Sequence, residues 1–401
     1  MELKMADFYS FPNKGSQGIL DTGEYGVKDI EQVRERAEVK RGQMDLPFFA
    51  MTLVILTIGL IMVFSASFAR AYYESGNPAY VFVRQFIFSV SGVAIMLIAS
   101  RIKPTFFRRY SFWLLVFSIG LLVLVPIIGE ESGGAKRWID LKITGFQPSE
   151  IAKLAVVLSF ASMICIYKDK MKTFRYGVLP FVLIIGIIVG LLILEPHLSA
   201  SVIIIALGGI MMFVGGTRLR WFAIVAIFVA LAAVVLLSNF DYASGRIAAW
   251  RDPLSQKLTG GWQIVQSLYA VGSGGLLGLG LGQGRQKHLY LPEEHNDFIF
   301  AVVCEELGFI GAALILILFA ILILRGFWLA LRARDRFGSL VITGLTSLLA
   351  LQVFLNVAVV TNLIPCTGIS LPFFSSGGTA LWLQMLEMGI ILSISREIKD
   401  K

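Results

Sequence analysis

The sequence has few charged residues for its length. Of its 401 residues only 15% are charged, whereas 56% are hydrophobic and the mean hydropathy is +0.77. A chain with so few polar side chains cannot cover the water-exposed surface of several soluble domains. The composition therefore indicates an integral membrane protein whose core is built between membrane-spanning helices.

Cysteine and histidine are also scarce, with three of each. The cysteines, Cys165, Cys304 and Cys366, are an odd number without a CxxC spacing, and the histidines lie on separate segments. The sequence therefore predicts neither a disulfide framework nor a zinc site. It also has no P-loop, no HExxH motif and no Ser-His-Asp order.

The net charge is +8, yet the basic residues form no long stripe of the kind that binds nucleic acid. They fall in short clusters between apolar runs, as in the cytoplasmic loops of membrane proteins. Residues 1–45 are polar and have no signal peptide, so they are predicted to form a disordered cytoplasmic tail. Residues 396–401 are predicted to form a second, short cytoplasmic tail.

The apolar runs predict the fold. A membrane-spanning helix needs about 20 apolar residues, and ten runs approach that length: 46–67, 80–100, 111–128, 149–167, 177–194, 198–215, 221–238, 298–325, 339–364 and 374–395. Lys and Arg are enriched after the even-numbered runs, so both termini are predicted to be cytoplasmic. We expect an all-α polytopic membrane domain over residues 46–395, with one large extracytoplasmic loop, 239–297, between spans seven and eight.

Part of this loop is apolar but rich in glycine. Residues 272–284, GSGGLLGLGLGQG, would form a poor continuous helix because glycine is costly in a helix interior. The segment is therefore predicted to be re-entrant or to lie on the surface, and it is not counted as a span.

Asp297 lies where a polar, acidic stretch gives way to an apolar run. An Asp at such a position is typical of a helix N-cap, whose side chain accepts hydrogen bonds from the first free amides. An exposed carboxylate at a membrane boundary can also act as a general base. Spacing alone favours the cap, and the two roles do not exclude each other.

Other polar residues are predicted to converge on the same outer side. Glu150 and Lys153 share a helix face and form an ion pair, or the lysine binds a phosphate. Arginines in loops are usually solvated, but Arg246 and Arg251 of the long outer loop could also bind a phosphate. The last outer loop, 365–378, suits a bent backbone that lines a cavity. The candidates for substrate or diphosphate binding are therefore Glu150, Lys153, Arg246, Arg251, Ser375 and Ser376.

Glu305 and Glu306 are placed deep in the membrane. At 1.5 Å per residue they lie about 12 Å below Asp297, and ionisable groups at such depth usually face a bundle interior. Glu305 is within about 80° of Asp297 around the helix axis, whereas Glu306 is nearly opposite. Either a buried hydrogen-bond network or a supporting role in the site accounts for them. His295 is a further supporting polar candidate.

Four segments carry a family resemblance, in this order along the chain: TGFQPSEIAKL (144–154), GGWQIVQSLYAVGSGGLLGLGLGQG (260–284), YLPEEHNDFIFAVVCEELGFIGA (290–312) and PCTGISLPFFSSGGTALW (365–382). Together they resemble the SEDS family of shape, elongation, division and sporulation proteins. The resemblance runs from the first apolar run to the C-terminus. The form LPEEHNDFIFAVVCEELG is closer to the FtsW-like division and sporulation branch than to the RodA-like elongation branch.

The resemblance implies a ten-span peptidoglycan glycosyltransferase of the bacterial cytoplasmic membrane that polymerises lipid II. It implies a class B penicillin-binding protein as the transpeptidase partner, beside other divisome or elongasome membrane proteins. Asp297 matches the essential aspartate of the family's (T/N)DFIF motif, and Glu150 and Lys153 match its polar pair in span four. One departure is visible: the turn that often reads PDLG in the family contains His197 here.

The mechanism expected from this resemblance uses Asp297 as the base on an acceptor sugar hydroxyl. The acceptor displaces undecaprenyl diphosphate from the donor with inversion. Cations hold the leaving charge, with or without a divalent ion such as Mg²⁺ or Mn²⁺; the candidates are Lys153, Arg246 and Arg251. Three alternatives stay open at this point: a lipid II flippase, a polymerase or ligase for another surface glycan, and a non-catalytic scaffold that recruits a transpeptidase.

Overall fold

The computed structural model describes residues 41–132, 135–140, 145–195, 197–225, 227, 241–256 and 260–398. Within these ranges the chain is mostly helical. The helices are α1 (Leu46–Ser75), α2 (Tyr80–Arg101), α3 (Pro104–Ile128), α4 (Pro148–Tyr167), α5 (Phe174–Gly177), α6 (Leu179–Leu194), α7 (Leu198–Val214), α8 (Asp241–Arg251), α9 (Trp262–Ser273), α10 (Ile299–Arg332), α11 (Arg336–Val360) and α12 (Gly378–Ser395).

Eight helical stretches in the described ranges are long and apolar enough to cross a membrane. They are α1, α2, α3, α4 with the 3₁₀ turn Lys168–Lys172 that follows it, α5 together with α6, α10, α11 and α12. The sixth predicted run forms α7, an apolar helix of 17 residues. The seventh predicted run, 221–238, falls mostly outside the described residues. The chain is thus a multi-pass membrane protein.

The helices divide into a central and a peripheral set. Most side chains of α4, α11 and α12 are buried inside the protein, whereas α2, α3 and α10 expose most of their apolar side chains. Apolar surface that cannot face water faces lipid instead. The central helices therefore keep most of their side chains, polar ones included, away from lipid.

The predicted N-terminal tail lies outside the described residues up to residue 40. Its last residue, Asp45, is the N-cap of α1, and its Oδ1 accepts a hydrogen bond from the Phe48 amide at 2.9 Å. Arg325 of α10 pairs with the same carboxylate at 2.6 Å between Nη2 and Oδ2. The first membrane helix thus begins on a capped residue that is tied to α10.

One small sheet departs from the all-α expectation. Strands β1 (Glu130–Ser132), β2 (Ala135–Asp140) and β3 (Gly145–Phe146) pair antiparallel in that order, in the connection between α3 and α4. Ile139 pairs with Phe146 and Asp140 with Gly145. The strands are short and lack a long alternating pattern, so sequence periodicity does not reveal them. The sheet places β2 in contact with α3 and α4.

Helix α10 is broken at Gly308, which has φ 66° and ψ −170°. The glycine segment predicted to be non-helical lies at this break. Its Leu279 and Gly280 amides donate to the carbonyls of Glu305 and Glu306 at 3.0 Å each. On the other side of the break, the Phe309 and Ile310 amides donate to the Gly275 and Leu276 carbonyls. The loop backbone therefore replaces the helical hydrogen bonds that the break removes.

Candidate active site

A cavity of about 470 Å³ collects most of the candidate residues. Its walls come from β2, the start of α4, the turn before α7, α8, the loop before α10, the loop 366–377, and α12. The charged or titratable side chains that line it are Arg137, Glu150, Lys153, His197, Arg246, Glu293, Asp297, Cys366 and Glu387.

Asp297 lines this cavity from the loop that precedes α10, and its side chain is half-buried. The side chain of Asn356 donates to the Asp297 carbonyl and to the Ile369 carbonyl, each at 2.7 Å. A Cβ at Gly368 would lie 3.2 Å from the Asp297 Oδ2 atom. Asn356 of α11 therefore ties the loop that carries Asp297 to the loop that contains Ile369, and the Asp297 carboxylate lies close to Gly368.

Asp297 is not the N-cap that its spacing suggests. Helix α10 begins at Ile299, its cap position is Phe298, and no side chain makes a capping hydrogen bond there. The Phe298 amide donates instead to the carbonyl of Glu293, which closes a turn in the loop. Because the cap position comes one residue later, the Asp297 carboxylate is left for the cavity.

The surroundings of Asp297 favour proton transfer near neutral pH. Burial raises the pKa of Asp297 to about 6, and the nearby Glu293 adds to the rise. Arg137, Arg246 and His295 act in the opposite direction and limit it. A carboxylate with such a pKa is ionised at neutral pH and is a stronger base than an exposed aspartate.

Glu150 and Lys153 meet as predicted, on the first turns of α4. Lys153 Nζ lies 2.7 Å from Glu150 Oε2, and the lysine is 2% exposed. Both side chains line the cavity. The ion pair therefore does not remove the ammonium from the site, and a phosphate in the cavity can still reach it.

Two arginines reach the cavity, and one candidate arginine does not. Arg246 of α8 lines it and donates from Nη1 to the Cys366 carbonyl at 2.7 Å. Arg137 of β2 also lines it, although no sequence pattern singles this residue out. Arg251, at the end of α8, is exposed and is not part of the cavity wall. The candidate role of Arg251 in diphosphate binding is therefore not supported by its position.

Ser375 and Ser376 line the cavity and hold the loop that carries Asp297. The Ser376 hydroxyl is 2.6 Å from Asn296 Oδ1, and the Ser375 hydroxyl donates to the Asn296 carbonyl at 3.0 Å. The Ser376 amide donates to the His295 carbonyl at 3.1 Å. Their hydroxyls are thus engaged with Asn296, which points to a positioning role.

The turn between α6 and α7 contributes a buried acid and a buried histidine. Burial raises the pKa of Glu195 to about 8, so this carboxyl is largely protonated at neutral pH. Burial, aided by Arg137 and Lys153, lowers the pKa of His197 to about 3. His197 lines the cavity as a neutral imidazole, with its Nε2 atom 3.5 Å from Gln147 Nε2. The position that often holds an acid in the SEDS family is therefore uncharged.

Glu305 and Glu306 are fully buried but do not line the cavity. Glu306 pairs with Lys287 Nζ at 2.6 Å and accepts hydrogen bonds from the Ser65 hydroxyl and the Gly282 amide. Glu305 accepts from the backbone amides of residues 285 and 286. These contacts form the buried hydrogen-bond network that was one of the two explanations; a supporting role in the site stays a prediction.

A second cavity of about 610 Å³ adjoins the first. The two share a wall that is formed by Trp138, Asn296, Ser376 and Gly377. His295 lines the second cavity and lies 3.5 Å from Glu294, which in turn pairs with Arg70 of α1 at 2.9 Å. His295 therefore stands on the other side of the wall from Asp297.

Sequence reasoning missed three residues of this site. Arg137 lay in a loop whose strands had no periodic signal, and Asn356 lay in an apolar run as a single amide. Glu387 did have a signal, because an acid within a membrane span usually faces a cavity. The structure places it 6% exposed on α12, in the cavity wall.

The donor set does not fit a metal site built by the protein alone. Among the described residues, no group of three or more His, Cys, Asp or Glu side chains is placed to hold a metal ion. Protein-bound Mg²⁺ typically uses one or two carboxylates together with substrate phosphates.

The sequence is similar to a known protein family and to several of its members. A family model described as cell cycle protein, for FtsW, RodA and SpoVE, matches residues 45–400. Stage V sporulation protein E of Bacillus subtilis is 40% identical over 359 residues, which is 89% of this chain and 98% of the relative. A probable peptidoglycan glycosyltransferase FtsW of Trichlorobacter lovleyi is 40% identical over 91% of this chain and 96% of the relative.

Solved structures show the same fold. A chain from a study of a peptidoglycan synthase complex, on the coordination of polymerization and crosslinking, superposes with a TM-score of 0.74. It is 26% identical and covers 89% of this chain and 99% of its own length. The rod shape determining protein RodA of Thermus thermophilus superposes with a TM-score of 0.66 at 26% identity, over 89% of this chain and 98% of RodA.

Proposed function

The protein belongs to the FtsW, RodA and SpoVE family of cell cycle proteins, and from this membership we propose that it is a peptidoglycan glycosyltransferase that polymerises lipid II. It acts in the bacterial cytoplasmic membrane and serves cell division or sporulation. The relatives that support this branch are 40% identical, whereas the RodA structure is 26% identical.

Asp297 is the general base of the reaction. It accepts the proton of the acceptor's C4 hydroxyl as that oxygen forms a bond to the anomeric carbon of the donor. The bond from the anomeric carbon to the diphosphate oxygen breaks, and undecaprenyl diphosphate leaves with the electron pair. Attack from the face opposite the leaving group inverts the anomeric centre. The diphosphate needs no proton from a second carboxylic acid, unlike the alkoxide that leaves in glycoside hydrolysis.

The leaving diphosphate is stabilised by cations from three elements of the cavity wall. Lys153 comes from α4, Arg137 from β2 and Arg246 from α8, and all three line the same space as Asp297. Positive groups that are fixed before the reaction stabilise charge that develops in the transition state. Three separate elements therefore supply the positive charge that a bound metal ion supplies in other phosphate-handling enzymes.

The observation that carries this proposal is the placement of Asp297 between cations and beside two adjoining cavities. A polymerase must hold two lipid-linked sugars at once, and the shared wall at Asn296 and Ser376 lies next to Asp297 in the chain and in space. Asp297 can thus reach an acceptor hydroxyl while a donor diphosphate meets Lys153.

The membrane arrangement that goes with this reaction has ten spans and both termini in the cytoplasm. The loop between spans seven and eight, with Asp297 at its end, then faces the outer side. Basic residues that follow the even-numbered runs support this orientation. A class B penicillin-binding protein is the proposed crosslinking partner, since a similar chain was solved in a peptidoglycan synthase complex.

The test is polymerisation of labelled lipid II by the purified protein, together with its transpeptidase partner. Asp297→Asn keeps the size of the side chain and removes the base. Asp252→Asn is the matched control, because Asp252 is an exposed acid beyond α8 and does not line the cavity. We expect polymer from the wild type and from Asp252→Asn, and a loss of at least about 100-fold in Asp297→Asn.

Three results would contradict the proposal. Polymerisation by folded Asp297→Asn at the wild-type rate would show that Asp297 is not the base. Translocation of lipid II across vesicles by the wild type without any polymer would support a flippase, and recruitment of the transpeptidase without polymer would support a scaffold.

A further inference from the structure

The second cavity differs from the first in the side chains that line it. Three cations line the cavity of Asp297, whereas Arg84 is the one lysine or arginine among the described residues that line the second cavity. Aromatic and neutral polar side chains form much of the rest, among them Tyr80, Trp138 and Gln85. A diphosphate therefore suits the first cavity. A sugar, which stacks on aromatic rings and hydrogen-bonds through its hydroxyls, suits the second.

His295 lines the second cavity with one of its ring nitrogens turned toward the protein. The Nδ1 atom is buried and lies 3.5 Å from Glu294 Oε1, the same oxygen that Arg70 Nε meets at 2.9 Å. Glu294 is fully buried, and Arg70 supplies the opposite charge that such a carboxylate needs. The Arg70–Glu294 pair is thus a fixed support on the Nδ1 side of the imidazole.

The other ring nitrogen of His295, Nε2, is left for a ligand. It makes no hydrogen bond with any described residue, and it is not among the buried polar atoms. Because Nδ1 faces the carboxylate of Glu294, the favoured neutral tautomer has its proton on Nδ1. Nε2 is then an acceptor for the hydrogen of a hydroxyl group in the cavity.

The second cavity comes close to Asp297 at the loop that carries both residues. His295 and Asp297 are two positions apart, so their Cα atoms are separated by about 7 Å at most. Asn296 lies between them and lines both cavities, and the Ser375 and Ser376 hydroxyls hold it in place. A sugar that lies along Asn296 therefore meets His295 on one side and presents a hydroxyl to Asp297 on the other.

We propose that the second cavity holds the acceptor sugar and that His295 binds this sugar through Nε2, with the Arg70–Glu294 pair holding the imidazole in place. This inference rests on the proposed function and assigns separate places to the two substrates. The donor diphosphate lies with Lys153 in the first cavity. His295 takes no proton from the reacting hydroxyl, since Asp297 does that.

The test separates the two substrates of a single coupling step. A labelled lipid II whose C4 hydroxyl is capped can serve only as the donor. Unlabelled lipid II then serves as the acceptor that receives the labelled sugar. Initial rates of labelled product, measured while one substrate is varied, give a separate KM for the donor and for the acceptor.

Two replacements distinguish the nitrogens of His295. The side-chain amide of asparagine takes the place of Nδ1, whereas that of glutamine takes the place of Nε2. His295→Asn should therefore keep a polar group beside Glu294 and lose the contact with the sugar. We expect it to raise the KM for the acceptor about fivefold, as for the loss of one hydrogen bond, and to leave the KM for the donor unchanged. His295→Gln should remain closer to the wild type.

Two further variants complete the comparison. His288 is an exposed histidine of the same loop that lines neither cavity, so His288→Asn should leave both KM values unchanged. Tyr80 is an exposed residue of α2 that lines the second cavity. Tyr80→Ala should raise the KM for the acceptor alone, and it tests the cavity without a change in the loop that carries Asp297.

The inference is overturned if His295→Asn leaves the KM for the acceptor at the wild-type value, or if the KM for the donor rises as much. A larger effect of His295→Gln than of His295→Asn would show that His295 supports Glu294 and does not bind the sugar. An unchanged KM for the acceptor in Tyr80→Ala would remove the acceptor from the second cavity. Coupling by Asp297→Asn reports on the proposed function itself, so the two ideas can fail separately.

Discussion

Asp297 combines access to a cavity with a destabilising environment for its charge. Its carboxylate lines the cavity between Glu293 and Gly368, and burial raises its pKa to about 6. The folded protein therefore bears a cost for keeping this group ionised at neutral pH. A residue kept in such a place at the expense of stability is typical of active sites.

This cost leads to a prediction about stability. Asp297→Asn should raise the melting temperature at pH 7.5 by a few degrees, equivalent to about 1–2 kcal/mol after allowance for partial exposure. Because the folded pKa lies above the unfolded one, the penalty grows as pH rises and disappears where both states are protonated. The gain should therefore be much smaller near pH 4, where the folded carboxyl is protonated and the unfolded one is about half protonated, as melting curves in detergent at both pH values would reveal. An equal gain at both pH values would contradict this electrostatic origin.

The residues of the site were predictable to different degrees. Asp297, Glu150 and Lys153 stand out because ionisable residues at the outer edge of a membrane span or inside it are costly and therefore informative. Arg246 and Arg251 belong to the same predicted loop, where both are candidates. In the structure they lie on one helix, α8, and only the Arg246 side chain lines the cavity. Sequence spacing does not determine which way a loop helix turns its side chains.

At the scale of elements, the glycine segment and the broken helix α10 form one structural unit. The loop amides fill the gap at Gly308, and the Glu305 and Glu306 carboxylates bind the next stretch of the same loop. Arg70 of α1 then holds Glu294, three residues before Asp297. The position of the candidate base thus depends on a chain of contacts that begins inside the membrane domain.

Gly278 is one of the tight points of this unit. Its φ is +81°, and a Cβ there would lie 2.2 Å from the Glu306 carbonyl oxygen. Gly278→Ala should therefore destabilise the fold by about 3 kcal/mol or more, from the backbone conformation and the steric clash together.

The control is Gly275→Ala, since Gly275 has φ +54° and open space around the added atom. We expect Gly275→Ala to cost about 1–2 kcal/mol. Equal melting temperatures for the two variants would contradict the close approach of loop and helix.

The break in α10 could be anticipated only in part. Seven glycines in thirteen residues predict that 272–284 is not a continuous helix. The same count does not say that the loop inserts beside Gly308, because that pairing joins segments distant along the chain. The sheet between α3 and α4 was missed for a similar reason, since its strands are held by tertiary contacts and not by periodicity.

At the scale of the molecule, the central helices α4, α11 and α12 concentrate polar groups around the cavity. The peripheral helices expose apolar side chains, as a membrane-embedded protein requires. Hydropathy predicts this division of the chain into spans, because length and apolarity are sufficient for that purpose. It cannot predict which helices are central, since a buried span and a lipid-facing span can have similar composition.

The proposed orientation is open to a direct test. Asn77 and Lys103 are exposed residues at opposite ends of α2. In a background with Cys366→Ser, we expect Asn77→Cys to react with a membrane-impermeant maleimide in intact cells. Lys103→Cys should react only after the membrane is permeabilised. The reverse pattern would show that the termini are not cytoplasmic.

The pH dependence of lipid II polymerisation tests the role of Asp297 most directly. A general base must be ionised to act, so the rate should rise through about pH 6, where Asp297 titrates, and level off above it. Asp297→Asn should be inactive across this range, and Asp252→Asn should follow the wild-type profile. A wild-type rate that does not change between about pH 5 and pH 8, or an Asp297→Asn variant that shows the wild-type rise, would contradict the account.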